Sequence, residues 1–273
     1  MAIDIKDLDG VKPESLAPAA IEAKVETVAI GKASMNMGKC FVLAMFAGAF
    51  IAFGALFFLT FTADPTLSFG VKKVCGGLCF CLGLVMVLCC GAELFTGNSL
   101  MICAIGSKKI TWSGLLKNWV VVLLGNLAGS LLIVFFVWAA GLASIKAGDT
   151  TIGANMATVA ASKINLPWHQ IFVRGILCNM LVCLAVWIGF GAKTFADKVL
   201  GIILPISGFV ACGFEHCVAN MFFLPMGVVA DPTKVDVSGV LYNLSASIPG
   251  NIVGGALLIG LGYWYAYHKK ETK

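Results

Sequence analysis

Four stretches of this chain, residues 41–61, 119–142, 170–191 and 247–267, are apolar over about the length a helix needs to cross the hydrocarbon of a bilayer, roughly 20 residues. Hydrophobic residues make up 59% of the sequence and charged residues only 12%, against about a quarter in a soluble domain, and the mean hydropathy is +0.95. Such a chain has too little polar surface to face water, so lipid is its solvent. Two further apolar segments, 74–104 and 199–229, are 31 residues each. As unbroken helices they would measure about 46 Å, against a hydrocarbon core of about 30 Å, so each must be interrupted.

The interruptions are visible in the sequence. Each is a glycine followed by polar residues inside an apolar run: Gly91-Ala-Glu93-Leu-Phe-Thr96-Gly97-Asn98 and Gly213-Phe-Glu215-His216-Cys-Val-Ala-Asn220, both reading G-x-E-x-x-x-x-N. A second pair follows, Gly125-Asn126-Leu-Ala-Gly129 and Gly250-Asn251-Ile-Val-Gly254. The two matches are offset by 122 and 125 residues, nearly one shift. The expected fold is therefore an all-α integral membrane protein of six transmembrane helices in two repeats, residues 38–142 and 168–268, with the second helix of each broken. Three is odd, so the second copy enters the membrane from the opposite side. In such inverted repeats the paired breaks mark a solute path near the midplane.

Charge follows the same plan. The net charge of +5 sits in flanks and loops, where Lys and Arg report orientation rather than nucleic-acid binding. Lys32, Lys39, Lys108, Lys109, Lys117, Lys193, Lys198 and the terminal Lys269, Lys270 and Lys273 fall on one side of a six-span chain, which places both termini in the cytoplasm. Residues 1–15 are acidic and polar with no secretory leader pattern, so Met1 is expected to be the mature start. Residues 1–37 read as a cytoplasmic segment carrying an amphipathic interfacial helix over 15–35, with Ile21, Val25 and Val28 at helical spacing beside Glu22, Lys24, Glu26 and Lys32. Residues 38–268 form the channel domain and 269–273 a cytoplasmic tail. Ten or more of the eleven cysteines fall in or beside apolar runs without zinc-like spacing, so they count as small hydrophobes and no metal or cofactor is expected.

Broken backbone survives at membrane depth only where protein or a watery cavity surrounds it, so the breaks point inward. Glu93 and Glu215 are expected to accept hydrogen bonds from the freed backbone N–H groups. His216, whose counterpart in the first break is Leu94, is the candidate for chemistry, since imidazole titrates near physiological pH. Thr96 either donates to a small anion or holds its loop. Asn126, Asn179 and Asn251 either line a path or tie helices together. His169 and His268 read as interfacial. One histidine with two repeat-related glutamates supplies no nucleophile and base and no metal cluster, so an enzyme is not expected.

The runs GAELFTGN (91–98), KNWVVVLLGNLAGS (117–130), NMLVCLAVW (179–187), GFEHCVANMFFLPMG (213–227) and GNIVGG (250–255) resemble the segments that mark the formate/nitrite transporter family, and most nearly its formate channels. That resemblance implies an aquaporin-like protomer, a homopentamer with one pore per chain, and a bacterial inner-membrane location. It implies a substrate pathway at His216, Thr96, Glu215, Lys163, Asn179 and Asn251, with Lys163 as the anion-attracting lysine, and constrictions at Phe80, Leu84, Leu94, Phe95, Val182 and Phe209. The implied solute is formate, with proton participation at His216. Nitrite, hydrosulfide and lactate are the alternatives within the family, and an aquaporin-type neutral solute the alternative outside it, although no paired NPA sequence stands at the breaks.

Overall fold

The computed structural model describes residues 15–268, so residues 1–14 and the expected tail 269–273 lie outside the described residues. The chain is mostly helical. Five helices are long and apolar enough to cross a membrane: α2 (Met37–Thr62), α3 (Phe69–Cys90), α5 (Trp112–Ala139), α7 (Trp168–Gly191) and the continuous helical stretch Val237–Tyr267. That last stretch is α10 (Val237–Ile252), a run of wider π turns (Val253–Leu261) and α11 (Gly262–Tyr267). The expected span 199–229 is split into α8 (Phe195–Ala211) and α9 (Cys217–Ala230), neither long enough to cross alone. The expected span 74–104 divides in the same way into α3 and a short piece, the 3₁₀ turn Gly97–Met101 followed by α4 (Ile102–Gly106). Two shorter helices precede spanning ones, α1 (Pro18–Ala33) before α2 and α6 (Ile152–Ile164) before α7. The two-residue strands β1 (Lys146–Ala147) and β2 (Thr150–Thr151) pair in the loop before α6.

Polar residues stop the helices at their ends. Asn36 caps α2 by accepting from Gly38 and Lys39 N–H, Thr111 and Asp236 cap α5 and α10, and Thr194 with Asp197 forms a reciprocal capping box on α8. Large apolar side chains such as Phe46, Phe53, Phe57, Leu124, Leu131 and Leu204 stand exposed, which suits lipid as the surrounding solvent.

Packing depends on close backbone approach. α2 packs along α3 and α5, and α7 along α8 and α10. A Cβ at Gly129 would lie 1.9 Å from the Met45 carbonyl oxygen of α2, and one at Gly254 would lie 2.1 Å from that of Ile176 on α7. The two G-N-x-x-G runs thus each make a backbone-to-backbone contact.

The N-terminal helix differs from the expected simple amphipathic pattern. Its buried face carries Ile21, Val25 and Ala29, but also Glu22 and Glu26, while Val28 is only half-buried. The two acids, expected on the wet side, turn inward because Lys109, Ser107 and His268 meet them there. Burial, then the neighbouring Glu26 carboxylate, pushes Glu22 up to about 7. Hydrogen bonds from Lys109 and Ser107 hold Glu26 below its ordinary range despite burial.

Replacing Gly129 or Gly254 by Ala forces α2 from α5, or α7 from the π turns that continue α10, with a cost of about 1–3 kcal/mol for overpacking. The expected result is a lowered unfolding temperature for each variant in detergent, by fluorescence-monitored melting, with Gly208→Ala, where a Cβ meets open space, as the unshifted control.

Candidate functional site

Each helix break leaves backbone donors and acceptors that lipid cannot satisfy, and two asparagines take them up. At the first break α3 ends on Gly91, whose φ of +79° is open to glycine at little cost. Beyond it, Asn126 Oδ1 accepts from Phe95 N–H at 2.9 Å, and its Nδ2 donates to the carbonyls of Glu93 (2.9 Å) and Ala44 (2.8 Å). At the second, Gly213 has φ of +73°, Asn251 Oδ1 accepts from Cys217 N–H at 2.9 Å, and its Nδ2 donates to the carbonyls of Glu215 (2.9 Å) and Gly175 (2.8 Å). Both asparagines are fully buried.

This corrects the role expected of the two glutamates, which do not receive the freed backbone N–H groups. Their carboxylates instead bind side chains, in two matching clusters. Glu215 Oε1 accepts from Lys163 Nζ at 2.8 Å, and Oε2 accepts from Asn220 (2.7 Å) and Asn243 (3.1 Å). Glu93 Oε1 accepts from Lys32 Nζ at 2.5 Å and Oε2 from Asn98 at 2.8 Å, while Asn98 also donates to Asn118. The lysines come from the C-terminal turns of α6 and α1. Lys32, expected on the polar side of the N-terminal helix, is thereby the counterpart of Lys163.

Each cluster lines a vestibule. The first, about 330 Å³, is bounded by Lys73, Lys163, Arg174, Glu215 and His216, with Phe80 and Phe209 among its apolar walls. The second, about 470 Å³, holds Lys32 and Glu93 with Leu84, Leu94 and Gly97. Three cations against one carboxylate make the first electropositive. The second carries one of each.

Between them Thr96 meets His216, Oγ1 to Nε2, at 2.9 Å. His216 is also the N-cap of α9, its Nδ1 accepting from Ala219 N–H at 3.0 Å. An N–H points at Nδ1, so that nitrogen carries no proton, and the ring proton sits on Nε2, aimed at the Thr96 oxygen. The Phe209 ring stacks on the imidazole at 5.8 Å and meets Phe80 edge-on at 5.7 Å. Leu84, one turn along α3 from Phe80, faces the other vestibule with Leu94.

The remaining expected residues are placed less directly on the path. Asn179 is fully buried and donates to Thr96 O (3.2 Å), Ser99 Oγ (3.1 Å) and Asn251 O (2.7 Å), so it ties the first break to α7 and α10. Asn251 acts through the backbone it holds. Val182 is buried in the core, and the Phe95 ring packs edge-on against Trp119 at 6.1 Å; neither lines a vestibule. Asn118 and Asn243 were missed. Their signal is a shared N-x₆-G-N, Asn118 before Gly125-Asn126 and Asn243 before Gly250-Asn251, two helical turns apart on one face.

A mostly helical body with five membrane-length helices, two broken helices and two cavities that each hold a buried Lys–Glu pair has the form of a membrane channel. The chain belongs to the formate/nitrite transporter family, whose model matches residues 19–265. It is 39% identical over 275 residues to the formate channel FocA of Escherichia coli K12, covering 94% of this chain and 96% of that one. It is 37% identical to a probable formate transporter of Methanothermobacter thermautotrophicus, covering 93% and 97%. Among solved structures it is similar to a pentameric formate channel with formate bound, with a TM-score of 0.79 and 38% identity over 85% of this chain and 98% of that one. A second, described as an FNT family ion channel, gives a TM-score of 0.83 at 29% identity, covering 90% and 98%.

Breaking one buried ion pair while leaving its partner should cost more than removing both charges, because the survivor stays desolvated. Lys163→Met alone is expected to lower stability by about 3–5 kcal/mol. Lys163→Met with Glu215→Gln should recover much of that loss, since the amide still accepts from Asn220 or Asn243. Thermal unfolding of the wild type, single and double variants in one detergent measures the difference.

Proposed function

We propose that this channel conducts formate or a closely related small monovalent anion between the two lysine-bearing vestibules, past the Thr96–His216 contact. The observation that carries this reading is the matched pair of Lys–Glu–Asn–Asn clusters, one on each approach to a single buried hydroxyl–imidazole pair. Formate enters because it is named in the relatives and in the solved structure bound to it.

The matched partners support six spans in two inverted halves. Each half would begin with its lysine-bearing helix, α1 or α6, ahead of the expected starts at 38 and 168. The vestibules then open on opposite faces of the membrane. The pentameric formate channel it is similar to supports a homopentamer; one pore per chain in a bacterial inner membrane belongs to the same proposal, and the lysine distribution supports cytoplasmic termini.

A bare monoanion would shed its water to pass Phe80, Phe209, Leu84 and Leu94, against an idealised Born cost on the order of 20 kcal/mol. Lys163, Lys73 and Arg174 draw the anion in on one side and Lys32 on the other. Passage as the neutral acid removes most of the barrier. At the midpoint the Thr96 hydroxyl and His216 Nε2–H supply hydrogen bonds in place of water. His216 rests neutral, and for it to deliver the proton its Nδ1 must give up the Ala219 N–H and take a proton itself. A relay role therefore includes uncapping α9, and a hydrogen-bonding role does not.

Proteoliposomes loaded with purified protein test this. Formate flux should exceed the accompanying charge movement by at least tenfold and rise as pH falls. A current equal to the chemical flux would mean the anion itself is conducted. His216→Ala and Thr96→Ala are each expected to reduce formate flux tenfold or more. Nitrite, hydrosulfide and lactate across the same pH range rank the solutes, and glycerol swelling tests a neutral-solute channel.

A further inference from the structure

The first and last described helical segments meet at a hollow of about 440 Å³ lined by Glu22, Glu26, Ser107, Lys109 and His268, apart from both vestibules. We propose that this hollow binds one divalent cation of the zinc class, with Glu22, Glu26 and His268 as its protein ligands, and that the ion fastens the N-terminal helix to the end of the chain.

Donor geometry is the first argument. Donors about 2.1 Å from a tetrahedral ion stand about 3.4 Å apart. His268 Nδ1 lies 3.4 Å from Glu26 Oε1 and 3.9 Å from Glu22 Oε1, and one donor atom from each of the three residues falls within 4.8 Å of the others. An imidazole nitrogen with two carboxylate oxygens is a donor set that suits Zn²⁺ and Co²⁺.

The second argument is a buried oxygen without a hydrogen bond. Glu22 Oε1 is buried, on a side chain only 3% exposed, and accepts no hydrogen bond. A buried carboxylate oxygen left so is expensive, and a cation supplies what it lacks. The surrounding groups hold the set in place. Trp264 stacks on the His268 ring at 5.4 Å and donates from Nε1 to Ser107 Oγ at 2.7 Å. Ser107 hydrogen-bonds Glu26 Oε1 and lies 3.2 Å from His268 Nδ1, where its oxygen or a water completes four-coordination. Lys109 Nζ takes the other oxygen of Glu26, Oε2, at 2.5 Å, so Oε1, which accepts from Ser107, keeps its second lone pair for the ion. Two carboxylates, one lysine and the added ion sum to a single positive charge, so the site closes without a large excess.

The absence of metal expected from sequence rested on the cysteines, and His268 was read as interfacial. Glu22 and Glu26 share a face of α1, four residues apart, but the third ligand is more than 240 residues away in sequence. Only the folded chain brings it near.

Chelator-treated, full-length protein in detergent, titrated first with Co²⁺ and then with Zn²⁺, tests the site. The expected result is one ion per chain, with a weak visible Co²⁺ band that Zn²⁺ displaces. Glu22→Gln and His268→Ala should each weaken binding at least tenfold while the size-exclusion profile stays that of the wild type. His268 is partly exposed at the end of the described chain, so its variant carries the test if Glu22→Gln fails to fold. Zn²⁺ should also slow hydrogen exchange in residues 18–33 of the wild type and not of His268→Ala. No Co²⁺ band up to millimolar metal, equal binding in His268→Ala, or an intense near-ultraviolet thiolate-to-cobalt band placing the ion on a cysteine would each overturn the proposal.

Discussion

Everything at the centre of this channel depends on how two interrupted helices satisfy their backbone where no water is available. A helix that stops in mid-membrane exposes polar groups that cost several kcal/mol each in hydrocarbon. Asn126 and Asn251 answer this with one side-chain amide per break, each bonding one backbone N–H and two carbonyls. Those carbonyls lie on the break itself and on the neighbouring helix, so each asparagine also fixes where the broken segment sits. Gly129 and Gly254, three residues further along, let the same helix pairs approach to backbone contact.

With the backbone satisfied by asparagine, the two glutamates are free to hold lysines, and this sets the electrostatics of the approaches. Each lysine pairs with its buried carboxylate, which also accepts from Asn98 in the first half and from Asn220 and Asn243 in the second. The halves differ at one position that matters. His216 stands where the first half has Leu94, and it caps α9 through Nδ1 while presenting Nε2 to Thr96 from the other break. A single imidazole therefore joins the two breaks through its contact with Thr96.

Much of this was legible in the sequence. The lengths of 74–104 and 199–229 required breaks, and the shared G-x-E-x-x-x-x-N located them, because glycine at positive φ and a buried acid leave a recognisable local pattern. The sequence placed Thr96 and His216 on the two breaks, and only the folded chain shows that they touch. The glutamates' partners were not legible, because Lys32 and Lys163 lie on helices outside the recognised repeat, 61 and 52 residues from their carboxylates. Nor was the burial of Glu22 and Glu26, since helical periodicity alone assigns an acid to water unless the distant group that receives it is known. Phe95 and Val182, matched as apolar types, are buried without lining either vestibule.

The central claim is that solute passes between the two breaks, through the vestibules and the contact between them. Its most direct test is the unidirectional flux of labelled formate through proteoliposomes after bulk is placed in that passage, with Ala219→Trp on the His216 vestibule. The account predicts a loss of at least tenfold with the oligomer intact on size exclusion, against no loss for Leu204→Trp on the exposed face. Undiminished flux through a correctly assembled Ala219→Trp protein would contradict it.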